Sequence, residues 1–181
     1  MRRWIYQIIF EKILGWKMKG NFPQELDKYM VIVMPHTSNW DFFLGLYSRN
    51  VTGTNVRFTG KHSLFFFPLG IILKSLGGYP IDRRKNQNYV DAIADIYAKE
   101  KEFKLCITPE GTRSSVEKIK TGFYHIAKKA NIPIVMVRFH FPDRLVDVLT
   151  PFYPTDDVDA DMEFIKASFR GTIGKNRAFE L

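Results

Sequence analysis

Residues 30–33, Met-Val-Ile-Val, run without a polar side chain, and Phe103–Ile107 and Ile132–Phe139 are nearly as apolar. A β-favouring run of this kind has no wet face, so it must be covered from both sides. Between these runs the apolar period changes. Tyr89, Val90, Ile93, Ile96 and Tyr97 form one face of a helix over 88–100. Trp40–Tyr47 and Phe123–Ala130 also read as helices, and Val158, Met162, Ile165 and Phe169 mark a last one. Val56–Thr59 and Leu145–Leu149 add short extended pieces. Strands alternating with helices predict an α/β fold, a central mostly parallel sheet flanked by helices. The 181 residues, without internal repeat or Gly/Ser linker, fit a single domain.

The formal charge of +8 points to an anionic partner: nucleic acid, a phospholipid surface or an acidic carrier protein. Nucleic acid fits poorly. The largest aromatic group lies in Leu64–Leu73, an apolar block without interleaved Lys or Arg, and no recognisable binding motif organises it. Pro68 and Gly70 argue against a long regular helix there, leaving a broken helix or core loop, or an apolar surface for lipid or an acyl chain. The single cysteine, Cys106, lies in a strand and reads as core.

No stretch is apolar for long enough to span a bilayer. At the N-terminus Trp4, Ile5, Ile8, Ile9, Ile13, Leu14 and Trp16 recur at helical spacing with Arg2, Arg3, Lys12, Lys17 and Lys19 around them. Tryptophans and cations so arranged suit an amphipathic helix lying in a membrane interface, the alternative being a helix packed on the protein's own core. Residues 1–20 are therefore read as an interface helix and 21–181 as the main domain.

Three segments could carry chemistry. In MPHTSNWD, Met34 to Asp41, a strand end meets a helix start. Ser38 and Asp41 make a capping-box pattern, which explains Asp41 structurally. The same turn can aim Asp41 at His36, fixing the imidazole tautomer and stabilising the imidazolium of a general base. TPEGTRSS, Thr108 to Ser115, ends a strand at Pro109, turns at Gly111, and offers hydroxyls and the planar fork of Arg113 for a phosphate. GGYPIDRRK, Gly77 to Lys85, joins a glycine turn to a basic cluster.

In this order the segments resemble the 1-acylglycerol-3-phosphate (lysophospholipid) acyltransferase family. His36-Thr37-Ser38-Asn39-Trp40-Asp41 matches its H-x-x-x-x-D block, and Gly78 to Arg83 resembles its second block. Pro109 to Ser114 reproduces the third, and Ile132-Pro133-Ile134-Val135 is similar to the fourth. The resemblance implies acyl transfer from acyl-CoA or acyl-carrier protein to the hydroxyl of a lysolipid, 1-acylglycerol 3-phosphate giving phosphatidic acid. It implies His36 as base and Asp41 as its orienter. Glu110, Gly111, Thr112 and Arg113 would form the acceptor site, Arg113 and Arg83 binding its phosphate. Lys61 is a further phosphate or thioester-side candidate. Neither a metal, a cofactor nor a covalent enzyme intermediate is implied, and the histidines at 36, 62, 125 and 140 show no ligand-like spacing. The expected place is the cytoplasmic face of the cell membrane, held peripherally or monotopically. Two alternatives stay open: a lyso-aminolipid acceptor, and a non-catalytic lipid-binding member.

Overall fold

The computed structural model describes residues 3–81 and 89–181. Among the described residues seven strands form one sheet: β1 (Lys17–Lys19), β2 (Lys28–Met34), β3 (Val56–Lys61), β4 (Gly78–Ile81), β5 (Phe103–Ile107), β6 (Ile134–His140) and β7 (Leu145–Val148). Their spatial order is β1-β7-β6-β2-β5-β3-β4, and among the described residues every pairing is parallel except β6 with β7. The helices are α1 (Arg3–Ile8), α2 (Trp40–Thr52), α3 (Leu69–Ser75), α4 (Tyr89–Lys99), α5 (Gly122–Ala130) and α6 (Val158–Phe169). The expected α/β architecture is therefore present.

Strand β2 shows why its sequence has no polar face. Successive side chains alternate between sheet faces. Met30, Ile32 and Met34 enter a core with Ile93 and Tyr97 of α4, Phe123 of α5 and Ile165 of α6. Val31 and Val33 point the other way, into a second core with Phe10, Leu44, Val51, Val137 and Phe139. Two cores on opposite faces make a three-layer molecule.

At the N-terminus the expected helix over 1–20 is corrected in its bounds. Helix α1 passes into a π-helical turn at Ile9–Ile13 and stops at Leu14. Lys17–Lys19 then pairs in parallel with β7 as an edge strand. Trp16 is buried, its ring 5.0 Å from that of Phe141 in an edge-on contact. One face of the helix packs inward through the fully buried Phe10, while Trp4, Ile8 and Ile13 stay exposed. The expectation of a helix packed on the protein's own core thus holds for one face, and the other face is open.

The apolar block around Pro68 is a broken helix. A short 3₁₀ turn at His62–Leu64 precedes α3, which opens after Pro68. Leu64, Phe66, Phe67, Ile71 and Ile72 are all exposed. Pro80 lies in β4, the outer strand, where a missing N–H costs the ladder least.

Candidate active site

Strands β2 and β5 lie side by side in parallel register, Ile32 opposite Ile107. The segments that leave their carboxyl ends therefore emerge together, where open α/β sheets place their ligands. The first carries His36, the second Glu110 to Arg113.

Helix α2 turns Asp41 inward. Asp41, Leu44, Ser48 and Val51 are its buried residues, spaced by three, four and three, the stripe that faces the sheet. Asp41 Oδ2 accepts from Thr37 N at 2.7 Å, Ser38 N at 2.9 Å and His36 Nδ1 at 3.0 Å. One oxygen thus closes the helix start and orients the imidazole. A carboxylate can only accept, so in the neutral imidazole the proton sits on Nδ1 and Nε2 keeps the lone pair. The cap differs in detail from the sequence expectation. The helix begins one residue later, after Asn39, and Ser38 Oγ accepts from Trp40 N at 3.2 Å. Asn39 makes no capping bond; its Oδ1 accepts from Arg113 Nη1.

The third motif divides into two roles. Gly111 takes a φ of +67°, a left-handed conformation that side chains disfavour, and its N–H donates to Thr108 O at 3.0 Å to close the turn. Gly111, Thr112 and Arg113 line the same groove as His36. Glu110 faces away from it. Its carboxylate is buried, accepts the backbone N–H of His36, and pairs with Arg177 at 2.5 Å. Arg83, the remaining substrate-binding candidate, lies outside the described residues. Lys61 ends β3, and only its backbone is described.

The groove has a volume of about 990 Å³, ample for a lipid-sized ligand. Its floor is the sheet face that carries Val31, Val33, Cys106, Val137 and Phe139, and its far wall includes Leu64 and Leu73. Arg57, His62 and Arg113 supply polar groups along the wall. Arg49, also on the wall, donates to the carbonyls of Val56 and Leu76 at 3.0 and 2.7 Å, and burial lowers its pKa. Among the described residues no group of His, Cys, Asp and Glu could hold a metal ion. No helix among them is long and apolar enough to cross a membrane.

Arg177 and its neighbour Asn176 escaped the sequence reading. Asn176 Nδ2 donates to Thr37 O at 2.7 Å, so the chain's C-terminal part reaches both site segments. No local signal marks Arg177, because its partner Glu110 is 67 residues away and the run around it has no periodicity.

Cys106 is half-buried on the groove side of β5, and its apolar surroundings push the thiol up to about 12. An acid whose folded pKa is raised stays neutral at pH values where an exposed thiol ionises, and the thiol is a poor nucleophile. Cys106 should therefore react with iodoacetamide at pH 8 at least tenfold more slowly in the folded protein than in urea. Equal rates, measured by mass spectrometry, would show an accessible thiolate.

No curated protein sequence matches the chain at a significant level. Among solved structures it resembles the crystal structure of the 1-acyl-sn-glycerophosphate (LPA) acyltransferase, PlsC, from Thermotoga maritima, with a TM-score of 0.64. Sequence identity is 17%, over 92% of this chain and 74% of that one, so the likeness is one of fold. The family model described as Acyltransferase matches residues 16–140. That stretch contains β1 to β6 and both segments that build the site, His36 to Asp41 and Glu110 to Arg113, and on that match the chain belongs to the acyltransferase family.

Proposed function

We propose that this acyltransferase moves a fatty acyl group from the thioester of acyl-CoA or acyl-carrier protein to the free hydroxyl of 1-acylglycerol 3-phosphate, giving phosphatidic acid. The observation that carries the reading is the His36 Nδ1–Asp41 Oδ2 contact of 3.0 Å at the wall of an apolar groove that also holds Arg113. His36 Nε2 takes the hydroxyl proton as the oxygen attacks the thioester carbonyl. The tetrahedral adduct collapses with loss of the thiolate, which takes the proton back from the imidazolium. Asp41 stabilises that imidazolium, while Glu110 holds the backbone from which the imidazole projects. The apolar floor suits an acyl chain. Arg113 at the groove wall suits the acceptor's phosphate, for which a guanidinium offers paired donors.

The exposed side chains of Leu64, Phe66, Phe67, Ile71 and Ile72 support a role for this block as the membrane-facing surface. Leu64 and Leu73 also line the groove, so a lipid entering there would pass from the bilayer along a continuous apolar path. The +8 charge supports attraction to anionic lipid.

Three measurements test this reading. A positioned general base typically contributes about 10²–10⁴-fold, so His36→Ala should lower kcat at least about a hundredfold with its circular dichroism unchanged. Turnover within a few-fold of the parent protein would end the base assignment. Arg113→Ala should raise KM for 1-acylglycerol 3-phosphate more than tenfold and leave KM for a neutral lysolipid acceptor unchanged; equal effects on both would remove Arg113 from phosphate binding. Phe67 is 82% exposed and Ile71 62%, so replacing both with serine should spare the fold. Binding to anionic vesicles should weaken about tenfold or more, each lost apolar contact being worth roughly 1.5–3 kcal/mol. Undiminished sedimentation with vesicles would assign the patch another purpose.

A further inference from the structure

After α6 the chain returns as a small antiparallel turn, with Ile173 bridged to Ala178 and Gly174 N donating to Arg177 O at 2.9 Å. Its base is anchored in the core. Phe179 is buried against Phe169 with ring centroids 5.8 Å apart, and Phe179 N donates to Thr172 O at 2.8 Å. Its tip lies on the two segments that build the active site. Asn176 Nδ2 donates to Thr37 O at 2.7 Å. Arg177 Nη2 bridges Glu110 Oε1 at 2.5 Å and Ser114 O at 3.1 Å. Lys175 Nζ stands 4.9 Å from the centroid of the Trp40 ring at the start of α2. The fit is close: a Cβ on Gly174 would come within 2.7 Å of Thr37 Oγ1.

We infer that the tip of this turn, Gly174–Arg177, is a positioning element of the active site, fixing the His36 segment through Glu110 and Thr37. The inference rests on the reading of His36 as the base. Glu110 holds His36 by accepting its backbone N–H, and that carboxylate is buried. A buried carboxylate keeps its charge at low cost only when a cation is paired with it, and Arg177 is that cation. Removing the guanidinium leaves Glu110 to find water or a proton, and either releases the backbone that carries the imidazole. None of these four residues lines the groove, so their effect acts through the backbone of the two site segments and not through direct contact with substrate. They also lie beyond residues 16–140, the stretch shared with the family model, so the device belongs to this chain's own C-terminal part.

The test compares Arg177→Ala, Arg177→Lys, Asn176→Ala, Glu110→Gln and the Glu110→Gln/Arg177→Ala double variant by steady-state kinetics and thermal unfolding, with His36→Ala in parallel. Arg177→Ala should lower kcat about 10–100-fold, with a smaller change in KM transmitted through Ser114 beside Arg113. Arg177→Lys should recover most of that loss, and the double variant should be no slower than Arg177→Ala, because a neutral amide needs no cation. Asn176→Ala, which strands no charge, should lower kcat several-fold; it decides the matter alone if Arg177→Ala does not fold. Unchanged kcat in Asn176→Ala and Arg177→Ala, or a loss carried by KM, or additive losses in the double variant, would overturn the inference. If His36→Ala is inactive while both tip variants match the parent, only the turn's role is rejected. If His36→Ala stays active, the base assignment is what fails.

Discussion

The parallel pairing of β2 with β5 is the constraint from which the rest of the site follows. Register in a sheet is locked by the side-chain alternation, and β2, buried on both faces, cannot slip by one residue without exchanging its two cores. Once Ile32 lies opposite Ile107, Pro35 and Pro109 stand just past the ends of neighbouring strands. His36 and Glu110 then meet because the sheet brings them there, although 74 residues separate them along the chain.

Two buried carboxylates finish the arrangement, each partnered in a different way, although Asp41 Oδ1 is buried without a hydrogen-bond partner. Asp41 takes three N–H donors from its own loop, a local solution made available by the first turn of α2. Glu110 takes one backbone donor and one cation, and both come from distant parts of the chain. Burial without these partners would cost each several kcal/mol. The groove itself stays apolar on its floor and basic on its wall, a division that suits an amphiphile with an anionic head.

Sequence patterning carried the fold well where apolar period alone decides structure. Strands β2, β5 and β6 and helices α4 and α6 appear close to where their runs of apolar residues place them. It carried less at the N-terminus. Helical spacing extends through Trp16, but the edge of β7 offers unpaired backbone groups, and Lys17–Lys19 satisfies them as a strand instead. The same competition explains Trp16, whose ring is worth more buried against Phe141 than on a helix surface. In the third motif, residue type foretold a polar turn, yet it could not divide Glu110, turned inward, from Gly111, Thr112 and Arg113 on the groove wall.

By itself the sequence determined what is local: alternating strands and helices, the His36–Asp41 spacing, the turn at Gly111 and a surplus of positive charge. Each depends on residues within one or two turns of one another, where backbone sterics and apolar period suffice. Only the tertiary structure decided that Glu110 supports the histidine, that Arg177 and Asn176 brace the loop from the far end of the chain, and that the apolar block opens beside the groove. Those outcomes depend on which buried charge finds which partner once the sheet is closed. Such pairing is set by packing across the whole chain and leaves no trace in any single stretch of it.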